Sequence, residues 1–112
     1  MRTIFGTTTA SGAVFSVLLG VATLDASVCA AADIQHGEEL ARRWCAECHV
    51  VAPDQQHAIA QAPPFATVAA KPDFDVNRLA TFLLEPHPKM PSMNLTRIET
   101  ADIAAYIGSL RK

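Results

Sequence analysis

Charged residues are scarce in this chain of 112 residues. Asp, Glu, Lys and Arg make up 18% of it, whereas apolar residues make up 50%. A disordered chain has few apolar residues and a large net charge, so this composition excludes that class. The net charge of −2 gives no sign of a polybasic nucleic-acid-binding protein. Three cysteines, an odd number, do not suggest a complete disulfide framework. The length allows one small domain.

The first 32 residues have the pattern of an export signal. An apolar core of about 15 residues, from Ala10 to Leu24, lies between Arg2 and Asp25 and is followed by Ala30-Ala31-Ala32. This core is shorter than the roughly 20 apolar residues that a membrane span needs, so an uncleaved anchor is the lesser alternative. We therefore predict a signal peptide over residues 1–32, cleaved after Ala32, with cleavage after Ala30 as the alternative.

The predicted mature domain comprises residues 33–112. Cys29 is removed with the leader, and only Cys45 and Cys48 remain. A chain of about 80 residues is near the size at which a hydrophobic core alone gives thin stability, and such chains often use a disulfide, a metal or a cofactor. The small size of the domain therefore suggests that a cofactor contributes to its stability.

The mature domain is predicted to be all-helical, because it shows no strand-like alternation and no Asn-Gly or Asp-Gly hairpin signal. Helices are expected over residues 35–44 and 76–84, with a short turn over 64–70. The last helix begins with a capping box formed by Thr96 and Glu99. Its apolar face consists of Ile103, Tyr106, Ile107 and Leu110.

The segment Cys45-Ala46-Glu47-Cys48-His49 is the motif in the chain that points to a cofactor-binding site. The spacing C-x-x-C-H is the signal for covalent haem attachment. Two thiols three residues apart lie on one side of a helical turn and can add to the two vinyl groups of one porphyrin edge. The His that follows can bind the iron from the same side.

Three other interpretations of the cysteine pair compete with haem. A zinc site needs about four Cys or His ligands, but the chain has no second cysteine pair, and His36, His57 and His87 are scattered. A thioredoxin-like redox pair needs a βαβ context, whereas the flanking sequence is helical. A structural disulfide is possible in an oxidising compartment. Haem is the favoured interpretation, and the export signal supports it independently.

With these residues in view, the sequence resembles the small class I cytochromes c over essentially all of residues 33–112. The matching features, in order, are Gly37 and Leu40, the haem motif, Ala62-Pro63-Pro64-Phe65, Met90-Pro91 and Ala105-Tyr106-Ile107. The resemblance implies an all-α fold in which three to four helices surround one covalently attached haem c.

The resemblance also implies ligands for the iron. His49 would bind on one side and Met90, which precedes Pro91, on the other, with Met93 as the runner-up. His87 is a further rival. Pro63 matches the position whose backbone carbonyl accepts the Nδ1 proton of the haem-binding His, which orients that ring.

Packing roles follow from the same resemblance. Gly37, Leu40 and Tyr106 match the crossing of the first and last helices. Trp44, Phe65, Phe82 and Leu95 are expected in the haem pocket or the core. His36 and His57 are expected to be exposed.

These features predict one-electron transfer rather than catalysis, since His and Met together leave no iron site open to a substrate. The expected role is a periplasmic carrier between a dehydrogenase or respiratory donor and an oxidase or reductase acceptor. Its complexes would be weak and transient, made by a monomer. The alternatives are a dedicated haem c subunit of a periplasmic dehydrogenase complex and, less favoured, a ligand-binding haem sensor.

Overall fold

The computed structural model describes residues 30–58, 62–85 and 89–112. These ranges contain four helices and no strand, which confirms the all-α prediction. The helices are α1 (Ile34–Trp44), α2 (Phe65–Ala69), α3 (Val76–Leu84) and α4 (Arg97–Ser109). None of the helices in these ranges is both long and apolar enough to span a membrane. Most of the predicted signal peptide, and His87, lie outside the described residues.

Side-chain caps fix where the helices begin. The Asp33 carboxylate accepts from the backbone N–H groups of Gln35 and His36 at the start of α1. Asp75 caps α3 in the same way. At α4 the predicted capping box is present in both directions: Glu99 N–H donates to Thr96 Oγ1, and Thr96 N–H donates to Glu99 Oε2. Local sequence therefore sets these three boundaries.

Helix α4 is the centre of the fold, since it packs against each of the other three helices. It crosses α1 at Gly37, where a Cβ atom would overlap the backbone carbonyl of Asp102. The hydroxyl of Tyr106 donates to the buried carbonyl oxygen of Val51 at 2.9 Å and ties α4 to the loop that follows the haem motif. The expected role of Gly37 in this crossing is confirmed, and Leu40 and Tyr106 are both buried in the core cluster beside it.

Trp44 departs from its predicted place. The resemblance places it in the haem pocket or the core, but 47% of the residue is exposed. Helix α1 ends at Trp44, and the next residue, Cys45, takes the buried position in its place. Phe65 is buried as predicted, and Leu95 packs against the core.

Candidate haem-binding site

The cysteine motif forms a single helical turn directly after α1. The backbone N–H groups of Cys48 and His49 both donate to the Cys45 carbonyl oxygen, at 3.1 and 2.8 Å. Cys45 is buried and Cys48 partly buried, and no disulfide joins them. Burial, with a smaller contribution from Cys48, raises the pKa of the Cys45 thiol to about 11.

His49 is held by a backbone acceptor. Its Nδ1 lies 2.7 Å from the carbonyl oxygen of Pro63. A carbonyl can only accept, so Nδ1 carries the proton, and in the neutral ring the lone pair is on Nε2. The ring also lies against Phe65, with 5.2 Å between ring centroids. The imidazole is thus held in orientation with its metal-binding nitrogen available.

Gln55, which the sequence did not single out, links the haem motif to the loop after it. Its side-chain amide group donates to the carbonyl oxygens of Ala46, His49 and His57, at 2.8, 2.9 and 2.9 Å. Its Oε1 accepts from the backbone N–H of Val51 at 3.0 Å. No local pattern marks such a residue, because its four partners come together only when the loop folds.

A cavity of about 920 Å³ opens beside the motif. Cys45, Cys48, His49 and Met90 all line it, and Pro63 lies on its wall. Met93 does not line this cavity; it lines a smaller one of about 340 Å³, which Met90 also borders. The remaining wall is mainly apolar and is formed by Ala62, Phe65, Val68, Phe74, Leu79, Phe82, Leu83 and Ile107.

Charges of both signs lie at this cavity. Lys71, Arg78 and Lys89 line it together with Asp73 and Asp75. All five are exposed. The cavity therefore has an apolar interior and a charged edge of nearly balanced sign.

The residues present fit a haem group. Two thiols, an imidazole nitrogen and a thioether sulfur line one apolar cavity, and its volume is in the upper part of the 300–1,000 Å³ typical of cofactor sites. Within the described ranges, no group of three or more His, Cys, Asp or Glu side chains is arranged to hold a metal ion.

Comparison with known proteins supports the same cofactor. No family model and no solved structure matches the chain. A cytochrome c-552 of Bradyrhizobium diazoefficiens is 59% identical over 95 residues, which cover 85% of this chain and 90% of that protein. At this identity and coverage, the chain belongs to the small class I c-type cytochromes, which are electron-transfer proteins with covalently bound haem c.

Proposed function

We propose that this cytochrome is an exported monohaem carrier of single electrons in the periplasm. Cys45 and Cys48 would hold the haem covalently, and His49 and Met90 would be the axial ligands of its iron. One observation carries the proposal: these four side chains line the same apolar cavity, which Met93 does not line.

Each ligand has its own role. Cys45 and Cys48 would hold the haem by addition of each S–H across a vinyl group, with sulfur on one carbon and hydrogen on the other, so the attachment would need no oxidant. Pro63 accepts the Nδ1 proton of His49 and so keeps Nε2 directed to the metal. The Met90 thioether favours the ferrous state and raises the reduction potential.

The cofactor supplies iron that takes up and releases one electron, and the chain supplies the surroundings. Phe65, Leu79 and Ile107 line the cavity and would keep water from a bound haem, which would disfavour the extra positive charge of its ferric form. Because His49 and Met90 would both hold the iron, we expect little rearrangement between the two oxidation states.

Redox partners would meet the protein at the open edge of the cavity. Phe82 lines the cavity and is 48% exposed, and the neighbouring charges are of mixed sign. This edge suits a small, weak encounter through apolar and mixed polar contacts rather than a strongly basic docking ring.

Optical spectra of the oxidised and reduced holoprotein test the cofactor and its ligation. We expect low-spin six-coordinate spectra in both states and no rapid binding of CO to the reduced form. Rapid CO binding would instead support the ligand-binding sensor. The substitution of both Cys45 and Cys48 by Ala should abolish haem retention in denaturant, and retention in that variant would overturn covalent attachment at these residues.

Native mass spectrometry of the protein purified from its own cells distinguishes the shuttle from a fixed subunit. The shuttle predicts a monomer. Stable co-purification with a dehydrogenase would contradict it and support the dedicated-subunit alternative.

A further inference from the structure

A buried carboxylate on α4 bonds to the beginning of the predicted mature chain. Asp102 is 3% exposed. Its Oδ1 accepts from the backbone nitrogen of Asp33 at 2.7 Å, and its Oδ2 lies 2.8 Å from His36 Nδ1. These contacts of Asp102 lie beside the tight crossing of α1 and α4 at Gly37. The packing of the two helices therefore holds Asp102 next to the start of α1.

Negative charge predominates around this contact. The carboxylates of Asp102, Asp33 and Glu39 act electrostatically on His36, and His36 and Asp102 in turn act on Glu99. The hydrogen bond to Asp102 is the largest of the effects that raise the pKa of His36. Among the described residues, His36 is the one basic side chain in an ion pair with Asp102. Four carboxylates thus interact with one imidazole, which is in direct contact with Asp102. A buried carboxylate needs a better-matched positive charge.

We propose that the leader is removed between Ala32 and Asp33, and that the α-ammonium group so formed makes an ion pair with buried Asp102. Hydrolysis of this peptide bond gives a carboxylate on Ala32 and an amine on Asp33, with water as the co-reactant. An α-amino group has an unperturbed pKa of about 7.7–8.0, so it is mostly protonated at neutral pH.

Cleavage after Ala32 changes the donor in the hydrogen bond from the Asp33 nitrogen to Asp102 and does not require the chain to move. The Asp33 side chain is already fixed by its bonds to the N–H groups of Gln35 and His36, at 2.9 and 3.0 Å. A neutral amide donor becomes a charged one, and charge-assisted hydrogen bonds are roughly twice as strong as neutral ones. The positive end of the α1 dipole opposes a cation here, whereas the surrounding carboxylates favour it.

The position of the cut matters. Cleavage after Ala30 would leave Ala31 and Ala32 ahead of Asp33, so that the nitrogen facing Asp102 would stay an uncharged amide. Cleavage after Ala32 is the cut that gives Asp102 its charged partner.

The inference rests on the export proposed above and is tested separately from it. The intact mass of the periplasmic holoprotein should equal residues 33–112 plus one haem. A mature chain that begins at Ala31 but carries haem and exchanges electrons would overturn this inference and leave the proposed function intact.

The ion pair itself is tested by inserting Gly-Ser between Ala32 and Asp33, so that cleavage leaves two residues ahead of Asp33. The stability of both holoproteins is measured between pH 5 and 10 in a His36→Gln background, which removes the imidazole titration. An ion pair raises the pKa of the α-amino group in the folded state. Its contribution is then complete below about pH 8 and is lost as pH rises through the folded pKa.

The expected result is a fall in the folding equilibrium constant above pH 8 that the extended chain does not show. Each unit by which the pKa is raised corresponds to about a tenfold fall. Asp102→Asn in the unextended chain should likewise remove the fall in the folding equilibrium constant above pH 8. An equal pH dependence in the unextended and extended chains would overturn the ion pair, even if the Asp102 variant fails to fold.

Discussion

His49 Nδ1 lies 2.7 Å from the carbonyl oxygen of Pro63, a residue fourteen positions further along the chain. The acceptor is a backbone group, so its place depends on the path of the loop that precedes α2. That path is fixed in part by the bond from Phe65 N–H to the Val50 carbonyl, at 2.9 Å. The orientation of the imidazole therefore depends on the backbone that leads into α2.

Replacing Pro63 by Ala keeps the carbonyl but removes the ring that fixes φ near −65°. We expect the loop to open more often and the His49 Nδ1 proton to exchange with solvent severalfold faster. Proton NMR of the reduced holoprotein measures this exchange. Pro53→Ala, at an exposed proline ten residues earlier in the same connection between α1 and α2, is the matched control and should leave the rate unchanged. Equal rates in the Pro63 variant and the native protein would show that the proline does not hold this acceptor.

Gln55 is expected to stabilise the haem motif through its four hydrogen bonds. Gln55→Ala should lower the free energy of unfolding by about 1–3 kcal/mol, because part-buried carbonyl groups lose their donor. Gln55→Glu should cost more, since a carboxylate cannot donate and is repelled by the three carbonyl oxygens. Chemical denaturation of the holoprotein measures both effects.

The control for the added charge is Gln56→Glu, one residue along the same loop, where the side chain is exposed. It should be nearly neutral. If Gln55→Glu were as mild as Gln56→Glu, the network would not be a source of stability.

Gly37→Ala should destabilise the protein by about 1–3 kcal/mol, because the new methyl group would overlap the backbone of Asp102 and force α1 and α4 apart. Gly108→Ala, also in a helix, is the matched control. Its Cβ would lie 3.3 Å from side-chain atoms of Phe74 and Val76, which can shift, and the helix gains up to about 1 kcal/mol from Ala. Thermal unfolding of the two holoproteins compares them. A milder loss for Gly37→Ala than for Gly108→Ala would contradict the tight crossing.

The mixed charges at the cavity edge predict a weak dependence of electron exchange on salt. Between about 0.01 and 0.15 M ionic strength the Debye length falls from about 30 to about 8 Å, and strongly steered partners slow steeply over this range. We expect less than a tenfold change in the second-order rate with an isolated redox partner, measured by stopped flow. Arg78→Glu makes the edge acidic and should steepen the dependence. If the second-order rate of the native protein falls more than tenfold as the salt is raised, the docking surface carries charge of predominantly one sign.

Features set by neighbouring residues could be predicted from the sequence. Asp75 and the Thr96–Glu99 pair mark the beginnings of their helices because a cap bonds to backbone within three positions. The haem motif could likewise be identified because its chemistry requires a fixed short spacing.

Features that depend on the folded path of the chain could not be predicted in the same way. The partners of Gln55 gather around it only in the folded loop, and the bond from Asp33 to Asp102 joins residues 69 positions apart. Trp44 has the periodicity of a buried residue, but periodicity does not say where a helix ends. The choice of Met90 over Met93 came from resemblance, and the cavity adds a physical reason to prefer it.

The central claim is that the iron lies between His49 and Met90, and the spectrum of the ferric protein in two matched variants tests it most directly. Met90→Ala should abolish the weak far-red sulfur-to-iron band and lower the midpoint potential, because the thioether that favours ferrous iron is lost. Met93→Ala should keep the band. Loss of the band in Met93→Ala and its survival in Met90→Ala would contradict the account.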